Sequence, residues 1–234
     1  MKYFTFSFDD GVTQDKRLIE IFNKYGLKST FNLNSSLFGL KGGWEQDGKW
    51  LNHNKVSPLE IKDIYAGHEV AVHTLTHPNL TGENDDAVEY QVEEDRKQLS
   101  RLAGYEVRGM AYPCGGVNND DRVAGIIKEK TGVCFSRTIT STYSFDLPKN
   151  VYRLDPSVHI CDAENLFRMA EEFINLKTDK PQLFYVWGHS YEFDMAPQMT
   201  WERVEEFCQL ISGKKDIIYG TNIEVLSQLG LLDK

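Results

Sequence analysis

The run Tyr3-Phe4-Thr5-Phe6-Ser7-Phe8, followed directly by Asp9-Asp10-Gly11, leaves this chain few ways to fold. Aromatic and hydroxyl-bearing side chains favour an extended backbone, so the run reads as a buried β-strand, and Gly11 frees the chain to turn just beyond it. Two like charges therefore stand at the carboxyl end of a strand. Neighbouring side chains on a strand point to opposite faces, so Asp9 and Asp10 need not do the same job, and one can hold a cation while the other accepts a proton. Taken alone, Asp-Asp-Gly reads as an ordinary surface turn with Asp15 capping the next helix.

A second motif argues against that plain reading. His73-Thr74-Leu75-Thr76-His77 follows another short strand, Glu69-Val70-Ala71-Val72. Imidazoles four residues apart converge if the segment turns helically, and with one carboxylate they make a three-ligand metal site with open positions. Either motif is weak alone, because histidines also serve as satisfied core or surface residues. The combination is stronger than its parts.

Elsewhere strand and helix signals alternate. Strands are expected at 29–33, near 108–112, 133–137, 151–154, 182–187 and 217–219, and the helix signals between them include an amphipathic stretch from Asp85 to Leu102 closed by Gly104. Its acidic run Glu93-Glu94-Asp95 reads as a solvated face. The segment 34–56 reads as a long polar loop, with Trp44 and Trp50 as hydrophobic anchors or, alternatively, as surfaces that stack on sugar rings, and His53 without a partner. The turn Pro113-Cys114-Gly115-Gly116 offers backbone amides to a ligand. Eight strand signals predict an α/β fold, a distorted parallel barrel of seven to eight strands in a single domain over 1–234, with a doubly wound open sheet as the competing architecture. Asp9, Asp10, His73, the Pro113 turn and His189 all fall just after strands, where both architectures place ligands.

Charge narrows the partners. A net charge of −9 disfavours nucleic acid and anionic membranes, which select clustered Lys and Arg. No apolar stretch approaches the length of a membrane span. Cys114, Cys134, Cys161 and Cys208 form no Cys-x-x-Cys pair, and reduced thiols are expected. The first residues run straight into a strand without an apolar leader, which gives a cytoplasmic location as the expectation.

Ser-Phe-Asp-Asp-Gly, His-Thr-x-x-His, a Tyr-Pro-x-Gly turn and a strand ending in histidine, in that order, resemble the polysaccharide deacetylases of carbohydrate esterase family 4. The resemblance spans residues 3 to about 195. It implies a distorted α/β barrel and one divalent metal, usually zinc, with cobalt, nickel or manganese as alternatives. It also implies removal of N- or O-acetyl groups from a sugar or oligosaccharide. Carried over by position, Asp9 is the base, Asp10, His73 and His77 the metal ligands, and His189 the acid. The Tyr112-Pro113-Cys114-Gly115 turn supplies the oxyanion amide.

Two departures accompany the resemblance. The family's arginine that orients the catalytic aspartate is replaced by Ala111, and Arg137 is the candidate substitute, with Arg108 and Arg153 also near strand positions. The acid that tunes the histidine is Asp155, Glu192 or Asp194. Trp187 and Tyr191 either wall an acetyl pocket or simply pack, Cys114 stands at an aromatic position of the family, and His68 and His159 read as structural. Three other functions compete: hydrolysis of formyl or ureide amides on the same fold, a non-haem iron oxygenase built on the same ligand types, and a carbohydrate-binding pseudoenzyme suggested by Ala111.

Overall fold

The computed structural model describes residues 1–232. The chain begins with β1 (Lys2–Asp9), returns through α1 (Asp15–Lys24) and enters β2 (Ser29–Leu33). The segment read as a loop carries an antiparallel hairpin, β3 (Gly43–Gln46) and β4 (Lys49–Asn52). A short α2 (Ile61–Ile64) leads to β5 (Glu69–Val72), then α3 (Asp85–Ala103), β6 (Gly109–Ala111), α4 (Asp121–Lys130) and β7 (Phe135–Arg137). After these come β8 (Val158–His159), α5 (Ala163–Asn175), β9 (Gln182–Gly188), α6 (Trp201–Ile211), β10 (Ile217–Tyr219) and α7 (Asn222–Gln228).

Seven strands form one curled parallel sheet in the order β7-β6-β5-β2-β1-β9-β8, an α/β half-barrel. One expected strand is absent and another takes a different place in the sheet. Residues 151–153 are a 3₁₀ turn, with Leu154 joined to Arg137 by a single bridge. Pro156 has no N–H to donate, and pairing resumes only at β8. β10 exists, but it pairs with residues 2–4 of β1, on the edge that β2 occupies from Phe6 onward, so it adds no stave. Among the described residues β7 and β8 are not paired with each other, which leaves the curl open.

The alternation within β1 divides the protein into two environments. Phe4, Phe6 and Phe8 face the helices, where Phe6 stacks on Phe22 of α1 at 4.6 Å and packs edge-on to Phe207 of α6. Thr5, Ser7 and Asp9 face the inside of the curl. There α7 closes one end, with Asn222 accepting from the Thr5 hydroxyl at 2.8 Å and donating to the Tyr185 hydroxyl. Both faces of β1 are buried, as its unbroken apolar and hydroxyl pattern requires.

Three local expectations change. Asp15 does not cap α1: Gln14 occupies that position, and the buried Asp15 carboxylate accepts from Tyr65 (2.7 Å) and Ser190 (2.6 Å). Asp95 is not part of a solvated face. It is fully buried and accepts from the backbone amides of Ser35 (2.8 Å) and His73 (3.2 Å). The two tryptophans do not anchor their segment, since Trp50 is 64% exposed at the hairpin and Trp44 37%.

Candidate active site and metal centre

Asp9 and Asp10 end the central strand and diverge. Asp9 points into the curl, where Nη2 of Arg137, at the end of β7, donates to both carboxylate oxygens and Asn32 Nδ2 donates to Oδ1 at 2.8 Å. Arg137 is fully buried, its guanidinium lies 4.5 Å from the Trp187 ring, and its Nη1 donates to the Thr138 carbonyl. Burial alone would raise the Asp9 carboxyl, but Arg137, then His73 and His189, outweigh it and hold the group below its ordinary value. Asp9 is therefore ionised at neutral pH.

Asp10 sits in the left-handed region, φ +83°. Its Oδ1 lies 3.6 Å from His77 Nε2 and 3.9 Å from His73 Nε2. The histidines do not converge through a helical turn, as the spacing suggested. Thr74 (φ +67°) and His77 (φ +62°) are both left-handed, and the turn is closed by the His77 amide donating to Thr74 Oγ1 at 3.1 Å. Asn34 Nδ2 donates to the carbonyls of His73 and Thr74, and Asp95 takes the His73 amide.

One donor atom each from Asp10, His73 and His77 lie within 4.8 Å of one another. His73 Nδ1 is 2.9 Å from the Ala111 carbonyl, which can only accept, so Nδ1 carries the hydrogen and Nε2 keeps its lone pair. Burial pushes His73 down to about 4 and lowers His77 as well, so both imidazoles are neutral at physiological pH. One carboxylate and two neutral imidazoles at this separation fit a divalent cation that retains open positions.

His189 follows β9. Its Nε2 is 4.0 Å from Asp9 Oδ2, and its Nδ1 is 3.4 Å from Glu192 Oε2, a charge contact rather than an aligned hydrogen bond. Burial pulls this imidazole down, but Glu192, Asp10 and Asp9 reverse the effect and carry it up to about 9. Glu192 also accepts the His189 amide at 2.9 Å. Its two rivals lie elsewhere: Asp155 accepts from Thr138, and Asp194 from Trp201 and Gln14. His159 flanks the same carboxylate, Nε2 to Glu192 Oε2 3.4 Å, so it is closer to the site than its structural reading suggested. His68, by contrast, accepts the Ser29 amide, away from the site.

The turn after β6 is only partly brought in. Cys114 (φ +69°) places its sulfur 3.7 Å from His77 Nδ1, and Asn118 ties the carbonyls of Pro113 and Cys114. Gly115 lies exposed beside them. Tyr112 departs from expectation: its side chain is fully buried and its hydroxyl donates to the Tyr152 carbonyl, so the phenol does not line the cleft. Trp187 packs between Arg137 and His159 and is 7% exposed, a wall beneath the site.

Three residues that surround the site, Asn32, Asn34 and Lys55, are not singled out by the sequence, and two more, Asp95 and His53, are placed differently from their sequence reading. Asn32 carried a usable signal, a polar residue within an otherwise strand-like run. His53 is not without a partner: its Nε2 is 3.2 Å from Asp10 Oδ2. Above Asp10 opens a cavity of about 490 Å³, whose lining includes Leu37, Leu40, Trp44, His53 and Tyr191.

With this geometry established, similarity to known proteins is informative. The sequence model described as polysaccharide deacetylase matches residues 1–129. A bifunctional xylanase/deacetylase of Pseudobutyrivibrio xylanivorans is 26% identical over 119 residues, which is 50% of this chain but only 17% of that much longer protein. Among solved structures, a family 4 acetyl xylan esterase from Clostridium thermocellum, in complex with a cobalt ion, superposes with a TM-score of 0.59 at 14% identity, covering 98% of this chain and 92% of that one. A mutant, with restored activity, of a carbohydrate esterase family 4 pseudoenzyme from Bacillus anthracis gives 0.59 at 17% identity, covering 97% and 68%. These two likenesses establish the fold, and the sequence match over more than half of the chain establishes the kinship: this protein belongs to the polysaccharide deacetylase family.

Proposed function

We propose that this protein is a metal-dependent hydrolase that removes acetyl groups from a sugar or oligosaccharide. The observation that carries the reading is the position of Asp9, ionised, beside the Asp10-His73-His77 donor set and 4.0 Å from His189. Asp10, His73 and His77 would hold one divalent cation, with zinc the best fit to mixed imidazole and carboxylate donors. When bound, it would polarise the acyl carbonyl and acidify a water.

The remaining steps fall to residues of this chain. Asp9 accepts the water's proton on a carboxylate oxygen, while Arg137 and Asn32 keep the carboxylate fixed in orientation. His189, protonated at neutral pH, gives its proton to the departing nitrogen or oxygen of the sugar, and Glu192 stabilises that protonated form. A base held below and an acid held above their ordinary values are the division of labour that this hydrolysis needs. The Cys114 turn, beside His77, offers an amide to the developing oxyanion. Trp44 and Tyr191, with ring centroids 5.5 Å apart at the cavity, supply aromatic surface for a sugar ring.

The pseudoenzyme reading rested on Ala111. Arg137 brings a guanidinium to Asp9 from a different strand, and this contact supports the catalytic reading over that one. The test is acetate release from a panel of N- and O-acetylated sugars, run against matched formyl amides with and without a chelator. Chelator-sensitive acetate release supports the proposal; turnover of formyl amides alone, or none under metal-replete conditions, refutes it.

A further inference from the structure

The segment between β2 and α2 reaches back over the end of β1 and is joined to it by several bonds. The Val56 amide donates to the Gly11 carbonyl (3.0 Å), the Thr13 amide donates to the Asn54 carbonyl (2.8 Å), and Val12 and Lys55 form an antiparallel bridge. This seating delivers two cationic or hydrogen-donating groups to one carboxylate. His53 Nε2 lies 3.2 Å from Asp10 Oδ2, and because an ionised carboxylate only accepts, that nitrogen carries the hydrogen. Lys55 Nζ, its side chain 7% exposed, donates to the Asp10 backbone carbonyl at 2.6 Å and lies 3.6 Å from Oδ1.

These contacts divide the two oxygens of Asp10. Oδ2 is taken by His53, and Oδ1 faces His73, His77 and Lys55. The left-handed backbone of Asp10 is unfavourable for a residue with a Cβ and persists only where neighbours enforce it. The Asp10 amide is held by the Asn32 carbonyl (3.0 Å) and its carbonyl by Lys55. The donor set within mutual reach comprises Asp10, His73 and His77 without His53. His53 therefore acts on the ligand rather than as one.

Resting on the metal-site reading above, we propose that His53 and Lys55 are positioning residues for Asp10. They fix its carboxylate so that a single oxygen, Oδ1, is presented to the cation, and the seating of the 52–56 segment thereby sets metal affinity. The same segment continues from the hairpin that carries Trp44, whose ring packs against His53 at 5.6 Å, so the aromatic wall of the cavity and the ligand clamp form one continuous structure.

The test is a cobalt(II) titration of the full chain after chelator treatment, followed by visible absorption, for wild type, Asp10→Ala, His53→Ala, His53→Gln and Lys55→Met. Loss of an outer partner of a metal ligand weakens binding about 10–100-fold, so His53→Ala is expected to do so with an altered cobalt spectrum, while His53→Gln, which keeps a donor to Oδ2, returns within about threefold of wild type. Lys55→Met is expected to weaken binding in the same direction. Thermal melting of the metal-free variants separates this from unfolding, and the glutamine rescue distinguishes positioning from packing. Wild-type affinity and spectrum in His53→Ala, with binding abolished in Asp10→Ala, would overturn the proposal and leave the metal site standing. Tight cobalt binding by Asp10→Ala would instead overturn the metal-site reading itself.

Discussion

Asp9 and Asp10 are adjacent in sequence yet belong to two differently built regions. Around Asp9 the partners come from or directly follow the curled sheet: Asn32 from β2, Arg137 from β7 and His189 after β9. Around Asp10 they come from turns and an inserted segment: His73 and His77 from a left-handed turn, His53 and Lys55 from the stretch after the hairpin. The first region is buried and rigidly registered by backbone pairing, while the second opens onto the cavity. Under the proposed function, proton transfer asks for a fixed base and a metal site must admit substrate, and the two constructions are suited to those needs.

A third set of acids sharpens the contrast. Asp15, Glu69 and Asp95 are buried too, but they accept hydrogen bonds from neutral donors, Glu69 through Oε2 alone, and burial pushes each up to about 7. Asp9, paired with Arg137, and Asp10, hydrogen-bonded to His53 and close to Lys55, fall instead. Among equally deep carboxylates, the strength of direct pairing with charged or donating partners sets the sign.

The largest effect is expected from Arg137→Ala, which strands the Asp9 carboxylate without its charge partner. Removing one member of a buried pair costs about 3–5 kcal/mol, to be read from urea unfolding together with loss of turnover. Stability within experimental error of wild type would erase the distinction between the two regions. Next, His189→Ala should slow release of poor leaving groups by on the order of 10²–10⁴-fold while sparing activated aryl acetates. Equal losses on both would remove its role as acid.

A smaller effect concerns Glu69, at the start of β5, whose Oε2 accepts from Thr30 (2.7 Å) and the Ile223 amide (3.0 Å). Its folded pKa is raised from 4.5 to about 7, so the folded state holds this proton more tightly than the unfolded chain. The associated stability is present below the unfolded value and is lost as pH rises through about 7. Glu69→Gln should flatten that decline in the urea midpoint between about pH 5 and pH 8; an unchanged slope would contradict the assignment. The smallest change is expected from Trp44→Ala, which removes one aromatic wall of the cavity and should raise KM by an amount equivalent to about 1 kcal/mol with kcat little altered. A fall in kcat alone would move Trp44 from substrate contact to the chemistry.

The strand-borne half of the site was largely legible in the sequence. Short runs of strand-favouring residues with abrupt polar endings marked β1, β5 and β9, and with them Asp9, Asp10, His73 and His189. Arg137 could be nominated because it ended a strand. Its hold on Asp9, across 128 residues, depends on how the sheet curls and had no local signature. The segment-borne half was misread, because a stretch containing Gly42, Gly43 and Gly48 looks like a loop whether or not it folds into a hairpin. His53 then seemed to lack a partner for the simple reason that its partner lies 43 residues away. Asp95 was hidden by its neighbours, since helical periodicity alone does not say which of three consecutive acids turns inward. The missing closure of the barrel had a similar origin: residues 151–154 carry strand-like chemistry, but the pairing that would make them a strand is a single bridge.

The central claim is that Asp10 holds the cation while Asp9 stays free to take a proton. Metal content measured on the same preparations of wild type and Asp9→Asn, alongside acetate release, tests it most directly. One divalent ion per chain in both proteins, with acetate from the wild type alone, is the expected result. An Asp9→Asn protein that comes out metal-free, or one that releases acetate at the wild-type rate, would contradict it.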